Sequence, residues 1–118
     1  MVRRPNIATV EDLKGSPVVN PSGADLGTVD DFVLDLERGQ VAYAVLSLGG
    51  FMGMGAKLHP VPWEALALQE GKFVLNLQRE ALPQAPSLER RDLGRLADPR
   101  VATQVYRFYG HRPYWEVT

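Results

Sequence analysis

Short runs of apolar residues, separated by segments that contain glycine or proline, fill the first two thirds of the chain. The main runs lie at 17–19, 26–36, 41–48 and 73–77. Such spacing is typical of short antiparallel strands joined by tight turns. The run at 41–48 is apolar at odd and even positions alike, which predicts a strand with both faces covered. The pattern as a whole predicts a small, mainly β fold.

Two irregularities are visible within these strands. In the run at 26–36, the apolar positions change from one face to the other after Val29, which predicts a β-bulge near Asp30 and Asp31. Residues 59–62 include two prolines, which cannot donate to a hydrogen-bond ladder. They predict a strand at an edge or corner of the sheet. The residues WEAL, directly after them, are predicted to form one helical turn.

The chain changes character after the last of these runs. Residues 78–97 are rich in proline and arginine and predict a packed or semi-rigid connector. Asp98 and Pro99 then predict the start of a helix, because aspartate accepts a hydrogen bond there and proline lacks only an unneeded N–H. An apolar stripe at i, i+4 and i+7 follows, formed by Val101, Val105 and Phe108. We expect a domain at 1–86 and a helical, aromatic extension at 87–118, packed on the domain or on a neighbouring subunit.

Composition and charge narrow the class of protein. The 118 residues are 45% hydrophobic, as in an ordinary globular domain, and they are enough for one core. The formal net charge of −1 gives no basic face of the kind that nucleic acids need. A nucleic-acid partner is therefore not expected. The absence of cysteine excludes disulfide bonds and thiolate chemistry.

No targeting or membrane segment is evident in the sequence. The N-terminus carries two arginines without an apolar run behind them, which is not the pattern of a signal peptide. The longest uncharged run, 41–56, is shorter than the ~18 to 20 apolar residues of a membrane-spanning helix and contains four glycines. We expect a cytoplasmic protein without a membrane span.

Residues 20–66 carry a family resemblance. A glycine turn, a long strand, a hairpin, a central apolar strand and a proline corner follow in this order, marked by Gly23, Gly27, Val29, Asp31, Asp35, Gly39, Tyr43-Ala44-Val45 and Val61-Pro62-Trp63. With these features the region 10–86 resembles the PRC-barrel family, found in the photosynthetic reaction centre H subunit and in the ribosome maturation factor. The tail YRFYGHRPYW resembles the C-terminal extension of some stand-alone bacterial members.

The resemblance implies a fold and a kind of function. It implies a small, strongly bent antiparallel β-barrel, here with a short helical C-terminal extension, that acts as a non-enzymatic protein-interaction or assembly module. The chain shows neither the membrane helix of the H subunit nor the RNA-associated domain of the ribosome factor, so neither specific role is carried over. Two alternatives remain, an RNA-processing or ribosome-associated factor and a small-ligand-binding barrel. The second is disfavoured because a barrel of so few strands is normally filled by its own side chains.

Motifs for catalysis or ligand binding are weak. The glycine segment 49–55 fits no phosphate site, because Leu58 stands where a Walker loop needs serine or threonine, and prolines follow where a dinucleotide site needs a helix. His59 and His111 have no ligand partner at helical spacing and are predicted to be polar loop residues. The acidic residues between 25 and 37 lack the alternation of a calcium loop. We predict no catalytic residue, cofactor or metal.

Two segments are candidates for contact with a partner. The first is an apolar loop with Phe51, Met52 and Met54, whose flexible side chains suit a partner surface unless they fold over the end of the barrel. The second is the tail, where arginines are interleaved with the aromatic residues Tyr106, Tyr109, Tyr114 and Trp115. We predict that these residues contact a protein partner or a second copy in a homodimer.

Overall fold

The computed structural model describes residues 4–48 and 57–116. The strands are β1 (Pro17–Val19), β2 (Asp25–Asp35), β3 (Gln40–Ser47), β4 (Leu58–Pro62), β5 (Leu66–Gln69) and β6 (Lys72–Leu75). The helices are α1 (Val10–Leu13), three 3₁₀ helices at Trp63–Ala65, Arg79–Gln84 and Arg90–Ala97, and α2 (Pro99–Phe108). None of these described helices is long and apolar enough to cross a membrane.

The strands form one sheet in the order β4-β3-β2-β1-β6-β5, which confirms the mainly β fold. The predicted antiparallel pattern has one exception, because β1 and β6 run parallel, with Val18 beside Phe73. Among the described residues, no hydrogen-bond ladder joins β4 to β5, so the predicted barrel is not closed by hydrogen bonds. The corner Trp63–Ala65 is the reason, since it joins β4 to β5 end to end and β5 then pairs with β6.

β2 is bent where the sequence predicts it. Its register with β3 shifts between Val29 and Asp31, which confirms the bulge. The Arg90 guanidinium donates to Asp31 Oδ2 at 3.4 Å and also to the Asp30 carboxylate. Exposed ion pairs of this kind add little stability. Their effect is positional, because they fix the start of the 3₁₀ helix Arg90–Ala97 beside the bulge.

β3 lies at the centre of the fold. Its residues Ala42–Leu46 are all buried, which confirms the prediction of a strand covered on both faces. Ala44 and Leu46 belong to the main core cluster between the strands. Tyr43 belongs to a second cluster, where it packs against Tyr106 of α2. The C-terminal helix therefore covers the side of β3 that the sheet leaves open.

Three short helices are missing from the sequence-based prediction. α1 begins at a capping box, in which the Thr9 hydroxyl accepts from the Asp12 N–H at 3.1 Å and the Asp12 carboxylate accepts from the Thr9 N–H at 3.2 Å. The 3₁₀ helices Arg79–Gln84 and Arg90–Ala97 lie where a connector was predicted. Leu82 within this connector is buried, so the connector is packed against the core.

Gly27 occupies the position in β2 that tolerates a side chain least. Its φ is +128°, and a Cβ there would lie 2.3 Å from the Ser47 carbonyl oxygen of β3. Gly27→Ala strains the backbone and forces β2 away from β3. We expect the free energy of unfolding to fall by about 3 kcal/mol, as measured by equilibrium unfolding in urea.

Gly94→Ala is the matched control, because a Cβ at Gly94 meets no atom within 4 Å. Its free energy of unfolding should not fall and should rise by up to about 1 kcal/mol, because alanine has less conformational freedom than glycine in the unfolded chain. A Gly27→Ala variant as stable as the parent would contradict the close approach of the two strands.

Candidate functional site

An open groove of about 490 Å³ lies where the β2–β3 hairpin meets the C-terminal part of the chain. We call it the hairpin groove. Its walls come from residues 33–38 of the hairpin, from the 3₁₀ helix Arg90–Ala97 and the start of α2, and from Tyr114 and Trp115 of the tail. Leucine and aromatic side chains form much of these walls, so the groove suits an apolar group.

The turn at the end of the hairpin is built around one aspartate. Asp35 Oδ1 accepts from the backbone N–H groups of Glu37 at 3.1 Å and Arg38 at 2.9 Å. The Asp35 carbonyl accepts from the Gly39 N–H at 2.8 Å, and Gly39 adopts a φ of +66°, which glycine tolerates best. This predicted turn is confirmed, and it holds Leu36 at the rim of the groove.

The tail reaches the groove because α2 ends in a Schellman motif. The Gly110 N–H donates to the Arg107 carbonyl at 3.1 Å, and the His111 N–H donates to the Tyr106 carbonyl at 3.0 Å. Gly110 has the positive φ, +73°, that this motif needs. The chain reverses there, and the tail returns to the first turn of α2.

Four aromatic rings hold the tail on the fold. Tyr106 lies between the others, with its ring centroid 5.6 Å from that of Tyr43, 6.2 Å from Tyr114 and 5.3 Å from Trp115. Inclined aromatic pairs at such distances are favourable beyond the area that they bury. The tail is therefore docked on β3 and α2 of its own chain.

A cluster of three side chains, which we call the tail latch, joins the tail to the hairpin turn. Tyr114 Oη donates to Asp35 Oδ2 at 2.5 Å, and Arg38 Nη1 donates to the same oxygen at 3.2 Å. The Arg38 guanidinium also lies 5.7 Å from the centroid of the Tyr114 ring, within reach of a cation–π contact.

The latch fixes the proton positions of its members. The hydrogen bond from Tyr114, followed by those from Arg38, lowers the pKa of Asp35 to about 2. Burial, followed by the hydrogen bond to Asp35, raises the pKa of Tyr114 to about 12. At neutral pH the carboxylate is therefore the acceptor and the phenol the donor.

The predicted contact residues occupy different environments. Tyr114 and Trp115 are half-buried and line the hairpin groove together. Tyr109 is half-buried and packs between the two core clusters. Tyr106 is fully buried, so its prediction as a surface residue is wrong; its ring is needed to cover β3. The other three predicted residues lie outside the described residues, namely Phe51, Met52 and Met54.

Leu34 and Leu36 line the groove, although no motif in the sequence marks them as surface residues. They are 51% and 86% exposed. The pattern places both on one face of β2 and gives no sign that this face is uncovered near the turn. A second register shift, between Val33 and Leu34, turns the end of the strand outward. The sequence feature that could identify these two leucines is their position on either side of Asp35, next to the glycine turn.

The described residues 4–48 and 57–116 contain no cluster of three or more metal-ligating side chains. The prediction of His59 as a polar loop residue is wrong, because His59 is buried in β4. The adjacent Leu58 exchanges backbone hydrogen bonds of 2.9 and 2.8 Å with Leu88, which covers this edge of the sheet. Burial lowers the pKa of His59 from its ordinary value of 6.5, and the backbone groups of Pro86 and Ala85 only partly oppose this shift.

The family model of the PRC-barrel domain matches residues 5–82, more than half of the chain. The matched stretch contains all six described strands and stops before the 3₁₀ helix Arg90–Ala97 and α2. A comparison with curated proteins gives no match. The hairpin wall of the groove thus lies inside the matched stretch, and its helical and tail walls lie outside it.

Tyr114→Phe tests the latch. Without the phenolic donor, the pKa of Asp35 should rise from about 2 toward its ordinary value of 3.8, as measured by NMR titration of the carboxyl carbons. Asp98 is the internal control, because the lowering of its pKa depends on Arg100 and not on the tail. An unchanged Asp35 titration would contradict the hydrogen bond.

His59 makes the fold sensitive to acid. Its folded-state pKa lies below 6.5, so the unfolded chain binds the proton more readily. The contribution of His59 is complete above pH 6.5, declines as the pH falls toward the lowered pKa, and is constant below it. We expect the free energy of unfolding to fall as the pH drops below 6.5, and to fall less steeply in His59→Gln.

Equal slopes in the parent and in His59→Gln would show that His59 is not the group responsible.

Proposed function

The chain belongs to the PRC-barrel domain family, and from that premise we propose that it is a non-enzymatic protein-interaction or assembly module. The proposed partner is a protein or another copy of the chain, and the proposed setting is the bacterial cytoplasm. The proposal assigns the contact to the hairpin groove. The predicted loop residues Phe51, Met52 and Met54 remain a second proposed contact.

One observation carries the proposal, namely that two exposed leucines adjoin an apolar groove. Leu34 and Leu36 are large, apolar and accessible to water at the rim, and Tyr114 and Trp115 contribute aromatic surface to the same groove. Contiguous apolar surface of this kind marks interaction sites on folded proteins. Aromatic anchors beside a pocket are typical of the residues that dominate binding energy.

The polar groups of the groove support a protein contact as well. The Asp35 carboxylate already accepts hydrogen bonds from the turn, from Arg38 and from Tyr114. An apolar side chain of a partner can therefore enter without leaving this charge unpaired. Charged residues of the turn lie at the rim, where they remain hydrated. An apolar centre with a polar rim is the usual anatomy of a protein interface.

Leu36→Glu tests this assignment. A charge at the rim should abolish apolar docking, so we expect an affinity-tagged Leu36→Glu chain to lose the proteins, or the untagged copies of itself, that the parent captures from a lysate. Capture is measured by quantitative mass spectrometry after chemical cross-linking.

Leu68→Glu is the matched control, because Leu68 is also exposed, at 46%, but lies on β5 and does not line the groove. It should capture the same proteins as the parent. Both variants should unfold at the parent's temperature, since both leucines are exposed. A Leu36→Glu chain with unchanged capture would refute the proposed contact.

A further inference from the structure

We infer that the occupant of the hairpin groove is the Leu36 side chain of a second copy of this chain, related by a two-fold axis. The inference rests on the proposed function and names its partner. It is carried by the juxtaposition of a projecting leucine with an apolar groove in one surface patch.

The patch has the two halves that a two-fold contact needs. In such a contact the same surface of both copies meets itself, so the patch must hold both the inserted group and its receptor. Leu36 is 86% exposed and lies on a turn fixed by Asp35 and Gly39. The groove begins beside it, with Leu93, Leu96 and Trp115 among its walls. In the inferred dimer, each Leu36 lies over the groove of the other copy.

The charges of the turn agree with such a contact. Glu37 and Arg38 are adjacent in sequence and opposite in charge, and Arg38 is 47% exposed. When two such turns meet in opposite directions, the Glu37 of one copy faces the Arg38 of the other, and like charges are kept apart. A surface that is complementary to itself in charge favours a second copy over a strongly charged partner.

The groove, which receives the leucine in this inferred contact, already has its carboxylate paired within its own chain. Within the described residues, the carboxylate that lies deepest in the hairpin turn, Asp35, is held by the tail latch. A leucine from the second copy leaves these hydrogen bonds intact and removes apolar surface from water. A cationic or hydrogen-bond-donating ligand would have to compete with Arg38 and Tyr114 for the Asp35 carboxylate.

Disulfide trapping tests the geometry directly. The chain has no cysteine, so an engineered pair is unambiguous. Leu36→Cys and Leu93→Cys chains, carrying tags of different length, are mixed and oxidised, and the covalent heterodimer is measured on a non-reducing gel. We expect it to form faster than the heterodimer from a mixture of Ile7→Cys and Leu93→Cys chains, in which Ile7 is as exposed as Leu36, at 86%.

The oligomeric state gives the second readout. Sedimentation equilibrium of the full chain should show a monomer–dimer equilibrium. Leu36→Glu should weaken the dimer by at least about tenfold, and Ile7→Glu should leave it unchanged. Circular dichroism spectra should be the same for all three, since both substituted side chains are exposed. A chain that is monomeric at every concentration overturns the inference, as does trapping no faster than in the Ile7 mixture.

The outcomes separate this inference from the proposed function. A monomeric chain whose Leu36→Glu variant loses a foreign protein that Leu68→Glu retains overturns the second-copy occupant and leaves the interaction role in place. A Leu36→Glu variant that changes neither dimerisation nor capture overturns both.

Discussion

Five consecutive buried residues of β3, Ala42–Leu46, leave neither face of this strand able to meet water, so each face needs a cover. The sheet covers one face with the main core cluster. Within residues 4–48 and 57–116 no further strand covers the other face, and α2 supplies the cover through Val105 and Tyr106. The position of α2 then determines where the chain reverses at Gly110 and where the tail returns. The hairpin groove forms where α2 and the returning tail end beside the β2–β3 hairpin.

How much of this arrangement the sequence reveals depends on the range of the interactions. The bulge at Asp30 and the helix start at Asp98 follow from neighbouring residues, and both were predicted correctly. The parallel pairing of β1 with β6 depends on contacts between Val18 and Phe73, distant in sequence, and no local pattern indicates it. Turns and helix caps are determined by neighbouring residues, whereas strand order depends on contacts between residues that are far apart in the sequence.

The site shows the same division. The criterion of aromatic residues in a polar tail selects Tyr114 and Trp115, which line the groove, and equally Tyr106, which is buried. Composition cannot separate a ring that anchors the tail from one that faces a partner. The strand pattern likewise assigns Leu34 and Leu36 to a sheet face, and only the register shift after Val33 shows that this face becomes exposed.

The parallel pair of β1 and β6 has a consequence for biosynthesis. β1, β2 and β3 are adjacent in sequence and pair in antiparallel fashion, so they are able to associate while the chain is still being made. The far edge of β1 has no partner until residues 72–75 leave the ribosome. During that interval the nascent chain presents an open strand edge, the kind of surface that leads to aggregation. The delay before β6 emerges is therefore the period in which a chaperone would protect this chain most.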